Sequence, residues 1–368
     1  MKVICEGLDL SDAVLKVIKA TAVRTTNPIL EGIRLFASED TLTLSATDLE
    51  ISIEKTIPAD VKIAGEIVVP GKFFADFVKK LSNEQIELSS TEQGTLKIKY
   101  TDSEGYLQLL NSSEFPIIKP FEESDSFVIS KLAFRDAIEK TIFAVAIDDA
   151  RPILKGCKFE IKGKELTVVA LDGFRIAEVK HSIISSTKDM SFVIPARSLS
   201  EMSKMIDGED EELKVLVSDN YVMATIGSTN IMSRKLEGEF INYKSALVSN
   251  AATEIIVNKQ QLEYGLERAS LLARFNTNNL VKFDIKEKLL TMTSSSDIGN
   301  VTEKLTISLE GKDLVIAFNA RYISDCLRNI EEEYIKMSFV SSIYPCMISS
   351  PDNNSYVFVV FPVRLIGD

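Results

Sequence analysis

The residue types that usually carry catalysis or metal binding are sparse in this sequence. His181 is its one histidine, which excludes a histidine-rich metal site and the HExxH zinc signature. It follows the strand-like stretch AEVKHSII, which favours a surface position at a strand end over a catalytic base. The sequence contains no GxxxxGK(S/T) phosphate loop, no GxGxxG after a strand and no GxSxG motif. We therefore expect a protein that is not an enzyme and needs no cofactor.

Carboxylates and thiols also lack a functional spacing. The acidic run DGEDEE at 207–212 does not have the alternating ligand spacing of a calcium loop, and a solvated loop is the better interpretation. Cys5, Cys157, Cys326 and Cys346 lie far apart and form no CxxC pair. Because the N-terminus shows no export signal, these residues are expected to be reduced thiols. We predict a cytoplasmic protein without a metal site.

The composition indicates a globular protein of several domains. The 368 residues correspond to two or three domains of ordinary size. Hydrophobic residues make up 45% of the chain and charged residues 26%, which excludes a mostly disordered polypeptide. No apolar run reaches the length of a membrane-spanning helix.

A threefold internal repeat organises the chain. Three helix-like segments begin 125 and 124 residues apart and share an apolar start, a short polar or proline entry and an amphipathic pattern. They are VPGKFFADFVKKL (69–81), IPARSLSEMSKMI (194–206) and FNARYISDCLRNI (318–330). A second set of helix-like segments precedes them at 8–24, 130–147 and 258–274. Each repeat therefore has two helices.

Strand-like segments complete each repeat. Alternating sequences at 33–54, 157–179 and 281–305 follow the earlier helices, and the first two come after the phrases Pro28-Ile29-Leu30 and Pro152-Ile153-Leu154. Two amphipathic helices on one face of an antiparallel sheet form an α+β layer. We predict an α+β protein with three domains, at 1–123, 124–251 and 252–368.

Basic residues are concentrated in the helix segments. The six segments together carry +7, and since the whole chain carries −12, the remainder carries −19. This distribution allows one positive face that attracts phosphate while the rest of the surface repels it. An alternative is that lysine and arginine are simply common on exposed helix faces. No arginine-rich arm, zinc finger or RNP-like aromatic set is present, so a DNA ligand would be held by its backbone, without sequence readout.

Several short motifs, in order and over the whole chain, resemble the bacterial sliding clamps, the beta subunits of DNA polymerase III. The motifs are Arg24 with Pro28-Ile29-Leu30, Ala46-Thr47-Asp48-Leu49-Glu50, Arg151-Pro152-Ile153-Leu154-Lys155-Gly156, Asp172-Gly173-Phe174-Arg175-Ile176, Glu237-Gly238-Glu239-Phe240 and Val360-Phe361-Pro362-Val363-Arg364-Leu365.

The resemblance implies a fold and a function. Three clamp domains per chain would place antiparallel sheets outside and two helices per domain inside, and two chains would close head to tail as a dimeric ring. The implied function is a non-catalytic processivity factor that encircles duplex DNA. It would tether the replicative DNA polymerase, the clamp loader and repair proteins through short apolar peptide motifs. No membrane partner is implied.

The resemblance also assigns residues to three surfaces. DNA contacts are expected from basic residues that begin or follow a helix, namely Arg24, Lys72, Arg197 and Arg321. The dimer interface is expected to involve Tyr106, Leu107, Leu109, Leu271 and Leu272. The pocket for partner peptides, between the second and third domains, would use Leu154, Leu171, Gly173, Phe174, Arg175, Ile176, Ile241, Val360, Pro362, Val363, Arg364 and Leu365.

Other interpretations remain open from the sequence. Three tandem domains without a shared purpose would give the same repeat, and a scaffold that keeps the ring and pocket but not DNA binding would give the same motifs. Basic helices in all three repeats favour the DNA-binding protein over the scaffold. A hydrolase ranks below both, since no nucleophile and base stand in a recognisable pair.

Overall fold

The computed structural model of the chain describes residues 1–81, 83–116, 121, 125–147, 151–247 and 250–364. Within these residues each of the three repeats contains nine strands and two α-helices, and all paired strands are antiparallel. The α+β prediction is confirmed.

The elements follow the same order in each repeat. The first repeat consists of β1 Lys2–Glu6, α1 Gly7–Val17, β2 Gly32–Ser38, β3 Thr41–Thr47, β4 Ile51–Pro58, β5 Asp60–Ile63, β6 Gly65–Pro70, α2 Gly71–Val78, β7 Gln85–Ser90, β8 Thr95–Tyr100 and β9 Ser103–Gln108. The second consists of β10 Asp125–Ser130, α3 Lys131–Ile142, β11 Gly156–Lys162, β12 Glu165–Leu171, β13 Arg175–Ser182, β14 Ser185–Ser186, β15 Met190–Pro195, α4 Ala196–Met205, β16 Glu212–Val217, β17 Tyr221–Ile226 and β18 Thr229–Arg234. The third consists of β19 Thr253–Asn258, α5 Lys259–Ala273, β20 Leu280–Lys286, β21 Leu289–Ser296, β22 Gly299–Thr306, β23 Ser308–Gly311, β24 Leu314–Asn319, α6 Ala320–Leu327, β25 Tyr334–Phe339, β26 Cys346–Ser349 and β27 Tyr356–Val360.

The chain divides into two compact units, each with two sheets. The first unit comprises residues 1–132, 184–187 and 201–235. Its smaller sheet has the strand order β5-β1-β7-β8-β9, and its larger sheet the order β14-β10-β16-β17-β18-β4-β3-β2-β6. The larger sheet joins the first two repeats, because β18 pairs with β4.

The second unit comprises residues 133–183, 188–200 and 236–368. Its nine-stranded sheet has the order β15-β11-β12-β13-β27-β26-β25-β19-β23, and its four-stranded sheet the order β22-β21-β20-β24. Here β13 pairs with β27, so one continuous sheet joins the second and third repeats. This junction carries the candidate site.

Helix α6 is fixed by a cap and by one apolar face. Asn319 caps α6, its side-chain oxygen accepting a hydrogen bond from the Arg321 backbone N–H at 3.0 Å. Ile323 and Leu327 are fully buried along this helix, whereas Arg321 is exposed. The apolar residues recur at helical spacing, which explains why the periodicity located the helix.

The sequence predicted the helices well and their ends less well. The first two residues of 69–81, 194–206 and 318–330 belong to the preceding strands, because the apolar residue that opens each segment can end a strand or begin a helix. The Pro-Ile-Leu phrases form short 3₁₀ turns, Pro28–Glu31 and Pro152–Lys155, directly before β2 and β11. The domain boundaries at 123/124 and 251/252 stay predictions.

Candidate functional site

A tight turn between β12 and β13 forms one wall of the candidate site. The Oδ1 atom of Asp172 accepts hydrogen bonds from the backbone N–H groups of Phe174 at 2.9 Å and Arg175 at 3.0 Å. Gly173 lies between them at φ +90°, in the left-handed region that favours glycine. No atom lies within 4 Å of the place a Cβ would occupy there, so the glycine serves the backbone conformation.

An apolar pocket of about 360 Å³ opens beside this turn. Its volume falls in the range of small-ligand sites, roughly 300–1,000 Å³. The turn and its strands supply one wall, the segment after β18 a second, the loop between β25 and β26 a third, and the residue after β27 the last. The lining residues are Leu171, Gly173, Ile176, Ile241, Asn242, Tyr243, Ser245, Ala246, Tyr344, Pro345 and Phe361.

A buried apolar cluster supports the pocket from behind. Leu154 is fully buried in the same cluster as Leu171 and Ile176, together with Tyr243 and Val359. The backbone N–H of Phe361 donates to the carbonyl of Phe174 at 2.9 Å, which ties the residue after β27 to the turn. The walls are therefore part of a packed core, and the pocket is largely pre-formed.

Arg175 is buried below the turn and bound on several sides. Its Nε donates to Asp172 Oδ2 at 3.0 Å, and its Nη1 to Asp325 Oδ2 at 2.5 Å. Its guanidinium lies 5.0 Å from the ring centre of Tyr322 and 5.4 Å from that of Phe143. Burial alone would lower the pKa of Arg175, but the hydrogen bond to Asp325 and the charges of both aspartates raise it.

Two ionisable groups near the pocket, Tyr243 and Glu160, have fixed charge states. Burial, together with a hydrogen bond to Glu178, raises the pKa of the Tyr243 hydroxyl, which is therefore a neutral hydrogen-bonding group. Nearby on β11, a hydrogen bond from Lys162 and another from Lys158 outweigh burial and lower the pKa of Glu160 to about 2. The pocket thus has neutral walls, with ion pairs at a distance.

The structure brings together part of the predicted pocket. Leu171, Gly173, Ile176 and Ile241 line it. The other predicted residues do not line the pocket. Leu154 supports it from behind, Arg175 is held by carboxylates, and Phe174 stacks on Tyr322 with 5.7 Å between ring centres. Val360 is buried opposite Arg175, Pro362 and Val363 are half-buried, and Arg364 is exposed. Leu365 lies outside the described residues.

Sequence reasoning missed several lining residues. Asn242, Tyr243, Ser245 and Ala246 directly follow Ile241, so proximity along the chain was an available signal. Tyr344 and Pro345 lie in a loop more than 160 residues from the turn, and no repeat or motif marks them.

The four predicted DNA contacts are all on the surface. Lys72, Arg197 and Arg321 occupy the second position of α2, α4 and α6, and their side chains are exposed. Arg24 is exposed beyond the 3₁₀ turn that follows α1. Their contact with DNA stays a prediction.

The predicted interface residues lie on two separate elements. Tyr106 and Leu107 are on β9, with Leu109 just beyond it, and Leu271 and Leu272 are on α5. Tyr106 is 60% exposed and Leu271 is 58% exposed, so Leu271 is not a core residue. Leu107, Leu109 and Leu272 are half-buried.

Metal-binding groups do not converge in the described part of the chain. Groups of three or more histidine, cysteine or acidic residues suited to a metal are absent among those residues. His181 Nε2 lies 2.8 Å from Asp136 Oδ2, and Lys140 also pairs with that aspartate, which accounts for the histidine. Among the described residues, no helix is long and apolar enough to cross a membrane.

Comparison with known families identifies the chain. Three family models match consecutive parts of it: the N-terminal domain of the DNA polymerase III beta subunit at residues 1–119, the central domain at 128–242 and the C-terminal domain at 244–364. The chain belongs to the DNA polymerase III beta subunit family. Members of this family are the sliding clamps.

Curated relatives and solved structures agree over the whole length. The chain is 33% identical to the Bacillus subtilis beta sliding clamp, covering 96% of this chain and 97% of that one. It is 32% identical to the Staphylococcus epidermidis beta sliding clamp, covering 94% and 95%. The crystal structure of the Bacillus subtilis clamp superimposes with a TM-score of 0.96 over 99% of both chains, and that of the Thermotoga maritima beta subunit with 0.92 over the same share.

The resemblance inferred from the motifs is therefore confirmed. The chain is a DNA sliding clamp for the polymerase, a processivity subunit that is not catalytic itself.

Proposed function

We propose that two copies of this clamp close head to tail into a ring around duplex DNA, and that the apolar pocket captures short peptide motifs of replication and repair proteins. Basic helix residues would hold the DNA through its backbone. The proposed ring closure rests on the strand pairing at the two internal repeat junctions. The proposed peptide site rests on the shape and chemistry of the pocket.

The two internal junctions use the same strand pair. At the first, Ile231 of β18 is opposite Ile53 of β4; at the second, Phe358 of β27 is opposite Ala177 of β13. Ile53 and Ala177 are equivalent repeat positions, 124 residues apart. In each case the ninth strand of one repeat extends the sheet of the repeat before it. Successive repeats are therefore joined by the same pair of equivalent strands.

Among the described residues, two strands equivalent to those at the junctions lie at sheet edges. The ninth strand of the first repeat, β9, is at the edge of its sheet, and so is β22, the third-repeat equivalent of β4 and β13. An edge strand presents unpaired backbone groups that favour pairing with another chain. Exposed apolar residues accompany both edges: Tyr106 is 60% exposed, and Ile298, just before β22, is 67% exposed.

Both junctions predict the same register for a β9–β22 pair between chains. Transferring the β18–β4 register through the repeat places Gly105 of one chain opposite Val301 of the other. Transferring the β27–β13 register gives the same pair. A head-to-tail contact made twice by two identical chains closes a ring of six repeats. Leu271 and Leu272 on α5 would add apolar contact to that interface.

A disulfide tests this closure. We expect Gly105→Cys with Val301→Cys to form an interchain cross-link under mild oxidation, because opposed residues of an antiparallel ladder have Cα atoms about 4.5–5.5 Å apart. The four native cysteines are buried and should not interfere. The product should migrate as a covalent dimer in non-reducing gels.

The matched control moves one cysteine by two residues. Gly105→Cys with Glu303→Cys places the pair on a diagonal about 7–8 Å apart, which a disulfide does not span without distortion. Equal cross-linking of both pairs, or of neither, would overturn the proposed register.

The proposed peptide site rests on the character of the pocket. Leu171, Ile176 and Pro345 supply apolar walls, and the exposed Asn242 and Ser245 supply polar groups at the edge. Apolar anchors that enter such a pocket, with a few hydrogen bonds around them, are the usual basis of affinity for short motifs. The polymerase, the clamp loader and repair proteins are the proposed sources of these motifs.

A further inference from the structure

One carboxylate, that of Asp325 on α6, is shared by three arginines. Its Oδ2 accepts the Arg175 Nη1 hydrogen bond at 2.5 Å and lies 3.8 Å from Arg321 Nε. Its Oδ1 accepts a hydrogen bond from Arg328 Nη1 at 3.2 Å. Asp325 itself is largely buried, with 16% of its side chain exposed. One negative charge thus faces three positive charges.

One of the three arginines supports the turn that forms a wall of the pocket. Arg175 is 5% exposed and also bonds Asp172, whose other oxygen holds the turn that contains Gly173. A buried guanidinium requires hydrogen-bonded anionic partners, since leaving it unpaired is costly. Asp325 therefore fixes the pocket wall through Arg175, although it does not line the pocket.

The other two arginines belong to the surface of α6. The side chain of Arg321 is 67% exposed and that of Arg328 is 63% exposed. Exposed ion pairs of this kind are weak, so both side chains can exchange Asp325 for phosphate. The aspartate nevertheless lowers the positive potential that the helix presents.

We propose that Asp325 is a positioning residue that serves both ligands, holding the pocket turn through Arg175 while reducing the attraction of Arg321 and Arg328 for DNA. This inference rests on the proposed function, which assigns the pocket to partner proteins and α6 to DNA. It goes further, because it makes the two sites energetically dependent on one carboxylate.

The test is Asp325→Asn, which keeps the shape and removes the charge. We expect affinity for the cognate replicative polymerase to fall by about fivefold or more. Affinity for a short linear DNA duplex should rise, with a salt dependence steeper by up to about one slope unit, because an arginine is released for phosphate. A purely structural role would weaken polymerase binding without strengthening DNA binding. Asp325→Glu restores the charge and should recover most of the polymerase affinity.

Glu201→Gln is the matched control. Glu201 occupies the equivalent position of α4, where it pairs with Lys204 at 2.8 Å. The residue equivalent to Arg175 in the first repeat is Ile51, which has no side-chain donor. Removing this charge should therefore leave polymerase affinity unchanged. Loss of polymerase binding in both variants would overturn the specific role of Asp325.

Two further variants separate this inference from the proposed function. If Leu171→Thr with Ile176→Ser does not weaken polymerase binding, the pocket assignment fails; if Arg321→Ala does not weaken duplex binding, the helix assignment fails. If both variants behave as proposed while Asp325→Asn changes neither affinity by more than about twofold, only the role of Asp325 fails. Thermal unfolding of each variant confirms that the folded protein is compared.

Discussion

The turn after β3 and the turn after β12 have the same backbone and different side chains. Asp48 Oδ1 accepts the N–H groups of Glu50 and Ile51 at 3.0 and 2.9 Å, as Asp172 does for Phe174 and Arg175. The middle residue has positive φ in both turns, +77° at Leu49 and +90° at Gly173. The repeat thus reproduces the turn to within a few tenths of an ångström in its hydrogen bonds.

The side chains beside the two turns differ in chemistry. In the first, Thr47 and Ser52 are buried and hydrogen-bonded to each other, with 2.7 Å between their hydroxyl oxygens. In the second, Leu171 and Ile176 hold the equivalent positions and form apolar walls. A satisfied hydroxyl pair offers little to an apolar ligand, whereas two hydrocarbon walls favour it. The scaffold is repeated, and the binding chemistry belongs to one copy.

Exchanging these pairs should give the largest effect. We expect Leu171→Thr with Ile176→Ser to weaken polymerase binding at least about tenfold, because a fully buried apolar side chain contributes about 1.5–3 kcal/mol. Surface plasmon resonance measures the affinity for the polymerase, at a temperature at which circular dichroism shows that the variant is folded. The reciprocal variant, Thr47→Leu with Ser52→Ile, should keep normal affinity. Equal losses in the two variants would remove the distinction between the turns.

Substitutions of the middle residues of the two turns should have a moderate effect on the free energy of unfolding. Gly173→Ala is expected to cost about 1 kcal/mol, since alanine is strained at positive φ although nothing obstructs its Cβ. Leu49→Gly should be close to neutral, because relief of that strain is offset by about 0.5–1 kcal/mol of added backbone entropy. Denaturant unfolding compares the two. Gly173→Ala with wild-type stability would contradict the argument.

The smallest expected effect is the pH dependence of the stability that Glu160 on β11 contributes. Glu160 on β11 corresponds to Phe36 on β2, which lies under Arg34 with 5.1 Å from guanidinium to ring centre. Since the pKa of Glu160 is about 2 when folded and about 4.3 when unfolded, its contribution to stability is complete above about pH 5 and is lost as the pH falls towards 2.

Glu160→Gln should therefore lower stability at neutral pH by less than about 1 kcal/mol, as expected for a hydrated pair, and the difference should vanish near pH 2. Phe36→Leu serves as the control whose effect should not change over the same pH range. A Glu160→Gln effect that is constant between pH 7 and 2 would exclude the ion pair as its cause.

The parts predictable from sequence were those governed by local periodicity and by the repeat. The six α-helices of the described residues, and the equivalence of Lys72, Arg197 and Arg321 across the repeats, follow from spacing. Part of the pocket also followed, since Leu171, Gly173 and Ile176 lie within one motif. Tyr344 lies beside the turn because β26 pairs with β27 and β27 pairs with β13, and the second of these is a long-range pairing that no local pattern encodes.

Arg175 illustrates the same limit. The resemblance assigned it to the pocket for partner peptides. Its Nη1 instead bonds Asp325, which is 150 residues away in sequence. The partner of a buried charge depends on which elements pack together, so the motif located the residue but not its role.

Retention on circular DNA tests the ring most directly. The clamp, loaded onto a nicked circular duplex and passed through a sizing column at high salt, should stay with the circle, because a closed ring is held by topology and not by phosphate contacts. Linearising the same DNA should release it, since the ring slides off the ends. Dissociation from the circle as fast as from the linear form would contradict encirclement, and so would retention after linearisation.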